Sequence, residues 1–266
     1  MSTESWAVAA PQTIDVGPVT AASVRLQAGR VEVVADADGP SAVLEILEVG
    51  DKPLQVVREG GRLRVGYERS VVEAFVARVR SLGDSERAVV RLRVPAGVTV
   101  DVGTTQADID VTGTPGTVVK TVTGAVRTVG TSGSLYLKTI SGDAGVEAHA
   151  GDVSAQTVSG ALSVGGALGR VNVASVSAAI AVAATGSVPL VSAKTVSGDV
   201  AVRLDGGTPV SLKVRGATGQ AVLDGAVLES QGHTLSVDHA EPPTDGRPVA
   251  YVTATVTSAR VVVSRG

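Results

Sequence analysis

Between Thr121 and Val202 apolar and polar residues alternate within a short phrase that returns at a nearly fixed interval. The phrase reads Thr121-Val122-Thr123-Gly124, Thr139-Ile140-Ser141-Gly142, Thr157-Val158-Ser159-Gly160, Ser175-Val176-Ser177-Ala178 and Thr195-Val196-Ser197-Gly198. Successive starts lie 18, 18, 18 and 20 residues apart. Counting from the first residue of each phrase, position 2 is Val or Ile, position 6 runs Val126, Ala144, Leu162, Ile180 and Val200, and position 8 is mostly Val. A period of two is that of a β-strand with one face buried. Positions 2, 4, 6 and 8 are therefore expected inward, and positions 1, 3, 5 and 7 outward. On this reading Val158 is a core residue, and Val158→Asp would bury an unpaired carboxylate.

A second, shorter motif follows nine residues later. Gly133, Gly151 and Gly169 precede Leu135, Val153 and Val171, and then Leu137, Ala155 and Val173. Each unit is thus two short strands and two corners. Units this short bury their apolar faces only against their neighbours, which defines a repeat architecture. Helical repeats do not fit, because the units are rich in Val, Thr and Gly and their apolar spacing is two rather than 3.6. The expected fold is all-β: a parallel β-solenoid (β-helix) of roughly 18-residue coils, with equivalent positions about 4.8 Å apart in adjacent coils.

The pattern weakens towards both ends. Gly29-Arg30-Val31-Glu32-Val33 and Gly61-Arg62-Leu63-Arg64-Val65 repeat the Gly-polar-apolar motif. Ser41 to Val49 reads as a strand, and Leu54 to Val65 as two strands joined at Glu59-Gly60-Gly61. From Val71 to Leu82 the apolar spacing is helical, so one short helical or irregular insertion is expected near 71–82. After Val202 come further short strands, the surface loop Glu241–Pro248, and a last coil or edge strand at the C-terminus. The chain is expected to form one domain over 1–266: N-terminal coils at 22–103, regular repeats at 104–202 and C-terminal coils at 203–266.

Composition narrows the function classes. The 266 residues are 44% hydrophobic and 18% charged, with 32 Gly, which argues for a packed repeat rather than disorder. A net charge of −3 with one Trp and one Phe gives no basic, aromatic platform, so no nucleic-acid partner is expected. There are no cysteines, hence no disulfide and no thiolate chemistry. No stretch has the length and apolarity of a membrane span, and the N-terminus lacks a signal-peptide pattern. A cytoplasmic location is expected, with any membrane association made through a partner.

Catalytic and metal-binding patterns are sparse. Asp143, Asp152 and Asp199 are the acids of the repeat, but Ala161 and Ala179 separate Asp143 from Asp199 in one column. They read as Gly-Asp corners, and the alternative is a carbohydrate-binding or polysaccharide-active protein using exposed Asp residues. No calcium-binding nonapeptide phrase occurs. His233, Asp238, His239 and Glu241 match no known zinc spacing. No catalytic residue, metal or cofactor is assigned. The regular surface feature is a hydroxyl ladder, with Thr121, Thr139, Thr157, Ser175 and Thr195 at position 1 and Thr123, Ser141, Ser159, Ser177 and Ser197 at position 3. Such a face could contact a protein, a second copy or a glycan. A second candidate is the Arg-rich segment 58–93, carrying +4 while the rest of the chain carries −7, with Arg78, Arg80 and Arg87 beside the insertion.

Thr195-Val196-Ser197-Gly198-Asp199-Val200-Ala201-Val202, with Gly142-Asp143 and Gly151-Asp152 repeating its centre, resembles the bacterial "putative adhesin" or toastrack domain family. The resemblance extends over roughly residues 22–264 and implies a right-handed β-solenoid of unassigned biochemical activity. It also implies a structural or interaction role, and the family offers no catalytic residues to carry over. The expected function is that of a non-catalytic scaffold binding another bacterial protein or itself through the Thr/Ser face.

Overall fold

A computed structural model describes residues 3–36, 39–67, 86–230, 233–243 and 247–266. The insertion expected near 71–82, with Arg78 and Arg80, lies outside the described residues. Among the described residues there are twenty strands and no α-helix, so the all-β expectation holds. None of them forms a helix long and apolar enough to cross a membrane. The chain divides into two compact units, Met1–Val126 and Arg127–Gly266.

In the second unit the repeat produces parallel pairing at the interval of the phrase. Strand β11 (Ser132–Lys138) pairs with β12 (Ala144–Gln156), placing Leu135 beside Val153 and Leu137 beside Ala155. Strand β12 pairs with β13 (Leu162–Ser175). The next coil is broken into β14 (Ile180–Ala184) and β15 (Leu190–Thr195), which pair with successive halves of β13. Strand β16 (Val200–Leu204) then pairs with β14. Inward aliphatics repeat in register, so Leu162, Ile180, Val200 and Val261 form one buried column. Removing such side chains from water is the main drive for stacking, at about 25 cal/mol per Å² of apolar area. Coils also approach closely at glycines. A Cβ on Gly151 would sit 2.2 Å from the Gly133 carbonyl oxygen, and its φ of +138° is one that L side chains rarely adopt.

Chain order and spatial order diverge at the C-terminus. Strand β20 (Ala250–Arg265) lies parallel to β15 through its first half and to β16 through its second, and pairs on its other side with β17 (Val210–Leu223). The closing segment is therefore an interior strand, neither the last coil nor the edge strand expected for it. What lies outside β17 is antiparallel: β18 (Ala226–Leu228) and β19 (Leu235–Ala240). The β17–β18 link is Asp224-Gly225, with φ of 48° and 83°, the all-positive geometry for which Asp-Gly hairpins are favoured.

The first unit is built on β3 (Ala21–Asp36), which runs parallel to β8 (Thr99–Thr112) on one side. On the other it runs parallel to β6 (Arg62–Gly66) and β7 (Arg87–Pro95). Strand β9 (Pro115–Lys120) extends the parallel pairing from β8. Antiparallel strands complete the unit: β5 (Leu54–Glu59) on β6, β1 (Thr3–Val8) on β5, β4 (Ala42–Val49) on β7 and β2 (Gln12–Gly17) on β4. The sequence places coils over 22–103 and, within them, two strands joined at Glu59-Gly60-Gly61; the antiparallel pairing of β1, β2, β4 and β5 departs from a wholly parallel stack. The turn at Gly60-Gly61, with φ of 53° and 80°, closes β5 directly onto β6, and a two-residue connection joins only antiparallel strands.

Candidate functional site

The repeated corner bears the residues singled out from the sequence, and it does not keep the alternation of the strands. Strand β13 ends on Ser175 and β15 on Thr195, and the chain turns through the next residues before β14 and β16 begin at Ile180 and Val200. Through this turn positions 1 and 4 both face inward and position 2 faces out. Thr139, Thr157, Ser175 and Thr195 are buried, as is Thr121 in the first unit. This corrects the expected outward placement of the position-1 hydroxyls.

Each buried hydroxyl has a structural task. Thr139, Thr157 and Thr195 accept the N–H of Gly142, Gly160 and Gly198 at 3.2, 3.1 and 2.9 Å, and Ser175 accepts that of Ala178 at 2.8 Å. Thr139 and Thr157 also donate to the Gly142 and Gly160 carbonyls. A hydroxyl bonding locally to backbone three residues on stabilises a turn against continued strand. In the first unit Thr121 accepts from Thr104 and from the Gly124 N–H.

Position 3 does face solvent. The Ser159, Ser177 and Ser197 hydroxyls donate to the Ile140, Val158 and Val176 carbonyls of the preceding coil, at 3.3, 3.3 and 3.4 Å. Their own N–H groups donate to the same carbonyls at 2.9 to 3.0 Å. Ser141 is exposed in the equivalent place, and Thr123 bonds the Thr105 carbonyl in the first unit. Between the buried Thr and the outer Ser stand Ile140, Val158, Val176 and Val196, 44, 42, 46 and 48% exposed. This aliphatic row escaped the sequence reading because a period of two was carried through a turn. The readable signal was a Thr three residues before a Gly, a spacing suited to a side-chain-capped turn.

The carboxylates clip coil to coil. Asp143 accepts the Ala161 N–H at 2.8 Å, Asp152 the Arg170 N–H at 2.8 Å and Asp199 the Arg260 N–H at 2.9 Å. Each holds a backbone group of the neighbouring coil at its own corner, and the three do not converge. A shallow trough of about 640 Å³ over β12, β13, β14 and β16 has a floor of small residues that includes Gly165, Ala181 and Ala183. Of the acids near it, Glu147 is tied to Arg127, which holds its carboxyl below the usual range.

The histidines are dispersed. His149 is fully buried, with Nδ1 2.9 Å from the Thr131 hydroxyl, and burial pushes its pKa down. His239 lies 3.6 Å from Glu241, whose carboxylate also takes Arg265 at 2.8 Å and the Val210 N–H at 3.0 Å. Asp238 pairs instead with Arg215, and among the described residues no cluster of three ligating side chains forms. Arg87 is exposed, 3.9 Å from Glu48.

No protein-family model and no curated protein matches the sequence. Solved structures resemble the chain along nearly its whole length. One is a "putative adhesin" from Bacteroides fragilis, 8% identical over 99% of this chain and 97% of that one, with a TM-score of 0.47. A "putative lipid binding protein" from Parabacteroides distasonis is 13% identical over 99% and 96%, with a TM-score of 0.48. A "putative cell adhesion protein" from Clostridium sporogenes is 10% identical over the full length of both chains, with a TM-score of 0.30.

Proposed function

We propose that this chain is a non-catalytic, adhesin-like scaffold whose stacked coils form a right-handed parallel β-solenoid. Its repeated corner associates with a second copy or with another bacterial protein. The observation that carries this reading is the exposed aliphatic row Ile140, Val158, Val176 and Val196, bordered by Ser159, Ser177 and Ser197. The serine N–H groups lock each coil to the last, so the row repeats at about 4.8 Å, the spacing of adjacent strands. A contiguous apolar strip with a polar border is the form that protein-docking surfaces take. The hydroxyls of position 3 form that border, while those of position 1 hold the corner in shape. The carboxylates clip neighbouring coils, which favours a scaffold over a hydrolase.

The test is light scattering and a pull-down from bacterial lysate, with the unmodified protein and with Val158→Lys/Val176→Lys. Both substitutions lie on the exposed row, so melting should be unchanged while oligomers or the recovered partner are lost. A strictly monomeric protein that recovers nothing refutes the reading. So does polysaccharide turnover that Asp143→Asn or Asp199→Asn abolishes.

A further inference from the structure

A different surface of the unit Arg127–Gly266 carries a chemistry that the corner does not. Strand β11, the later halves of β12 and β13, strand β15 and the first halves of β20 and β17 pair side by side in parallel. Their inward residues, Leu135, Val153, Val171, Val191, Val252 and Leu212, are all buried. The alternate residues face out. The middle outward row is polar, with Ser154, Asn172, Ser192 and Thr253 directly opposite one another.

Lys213 closes that row, in register with Thr253 and opposite Asp238 on β19, and other cations flank it. Lys138, Arg170, Lys194 and Lys213 are exposed on β11, β13, β15 and β17. Strands β11 and β17 are five strand spacings apart, so the cations span about 24 Å along the stack. With Arg215 the face has five cations against two carboxylates. Of the two, Asp152 holds the Arg170 N–H and Asp238 is paired with Arg215. A chain of net charge −3 thus gathers a positive excess on one flat surface. Beside Arg170 and in register with it stand Leu190 and Tyr251, 48 and 53% exposed. An open tyrosine ring next to hydroxyl and amide groups suits the two sides of a sugar: ring C–H groups on the aromatic face, hydroxyls on the polar row. Cations at intervals suit repeated carboxylates.

We propose that this face binds an extended acidic polysaccharide, a uronate polymer lying along the coil stack. Its carboxylates meet Lys138, Arg170, Lys194 and Lys213, and one sugar ring rests on Tyr251 and Leu190. A nucleic acid is disfavoured, because the face holds two tyrosines and no run of aromatic rings on which successive bases would stack. The inference is independent of the corner row.

The test titrates the full chain calorimetrically with polygalacturonate, polyglutamate and oligo-dT at low and at physiological salt. Polygalacturonate should bind saturably and more weakly as salt rises. Lys138→Gln/Lys194→Gln/Lys213→Gln should bind it about tenfold less tightly, the combined effect of three exposed charge contacts, with an unchanged melting midpoint. Tyr251→Ser should weaken polygalacturonate about threefold and leave polyglutamate unaffected. Absence of polygalacturonate binding overturns the proposal. Equal affinity for polyglutamate or oligo-dT, with Tyr251→Ser silent, also overturns it and leaves a general cationic surface. Binding lost in Val158→Lys/Val176→Lys, and retained in the triple lysine variant, would overturn it in favour of the corner.

Discussion

Thr157→Val and Val158→Asp test the inverted corner as a pair. The alternation of the strands ranks the second as the damaging change, since it places a carboxylate at a nominal core position. The structure ranks them the other way. Thr157 is buried, and its hydroxyl accepts the Gly160 N–H at 3.1 Å while donating to the Gly160 carbonyl at 2.9 Å. Valine fills nearly the same volume and strands a buried N–H, which costs about 1–3 kcal/mol. Val158 is 42% exposed, so an aspartate there stays solvated and should change stability by no more than about 0.5 kcal/mol. With a urea slope of about 3 kcal/mol/M, a loss of about 2 kcal/mol lowers the midpoint by about 0.7 M. The assay is urea unfolding by circular dichroism, with amide exchange at Gly160 as the local readout. Thr157→Ser keeps the hydroxyl, as Ser175 does one coil on, and should retain protection of that amide. A midpoint lowered more by Val158→Asp than by Thr157→Val would refute the assignment of inward and outward positions.

Gly151→Ala should destabilise the second unit by at least about 2 kcal/mol, because its Cβ would meet the Gly133 carbonyl oxygen at 2.2 Å and its φ is +138°; thermal unfolding reads this directly. Burial lowers the pKa of His149 in the folded state, so the unfolded chain takes up the proton first. Stability is then full above the ordinary histidine value of about 6.5 and declines as pH falls through the lowered folded value, a slope that His149→Asn should remove from urea midpoints. The Arg265 guanidinium holds Asp224 below the usual carboxylate range, and Glu241 too lies low, held by the Val210 N–H and Arg265 against the opposing effect of burial. Their contribution is present above about pH 4 and lost as pH falls through the lowered values, so Arg265→Gln should flatten the acid limb of the stability curve.

The strands and the stacking interval were legible in the sequence because they depend on local, repeated chemistry. Alternating valines specify a one-sided strand wherever the chain stays extended, and the recurrence at 18 residues sets the parallel register seen at Leu135–Val153 and Val146–Val164. The glycine pair at Gly60-Gly61 likewise announced its hairpin. The direction of each side chain inside the corner was another matter. A turn resets the alternation, and the bonds from Thr157 to Gly160 and from Ser159 to Ile140 decide which residue is swallowed and which is shown. Nor could a linear reading place β20 between β16 and β17, since that depends on a return of the chain across the unit rather than on any neighbour in sequence. The cationic face arises in the same way. Lys138, Arg170, Lys194 and Lys213 are scattered over 76 residue positions of chain, and only the pairing of strands brings them to one surface.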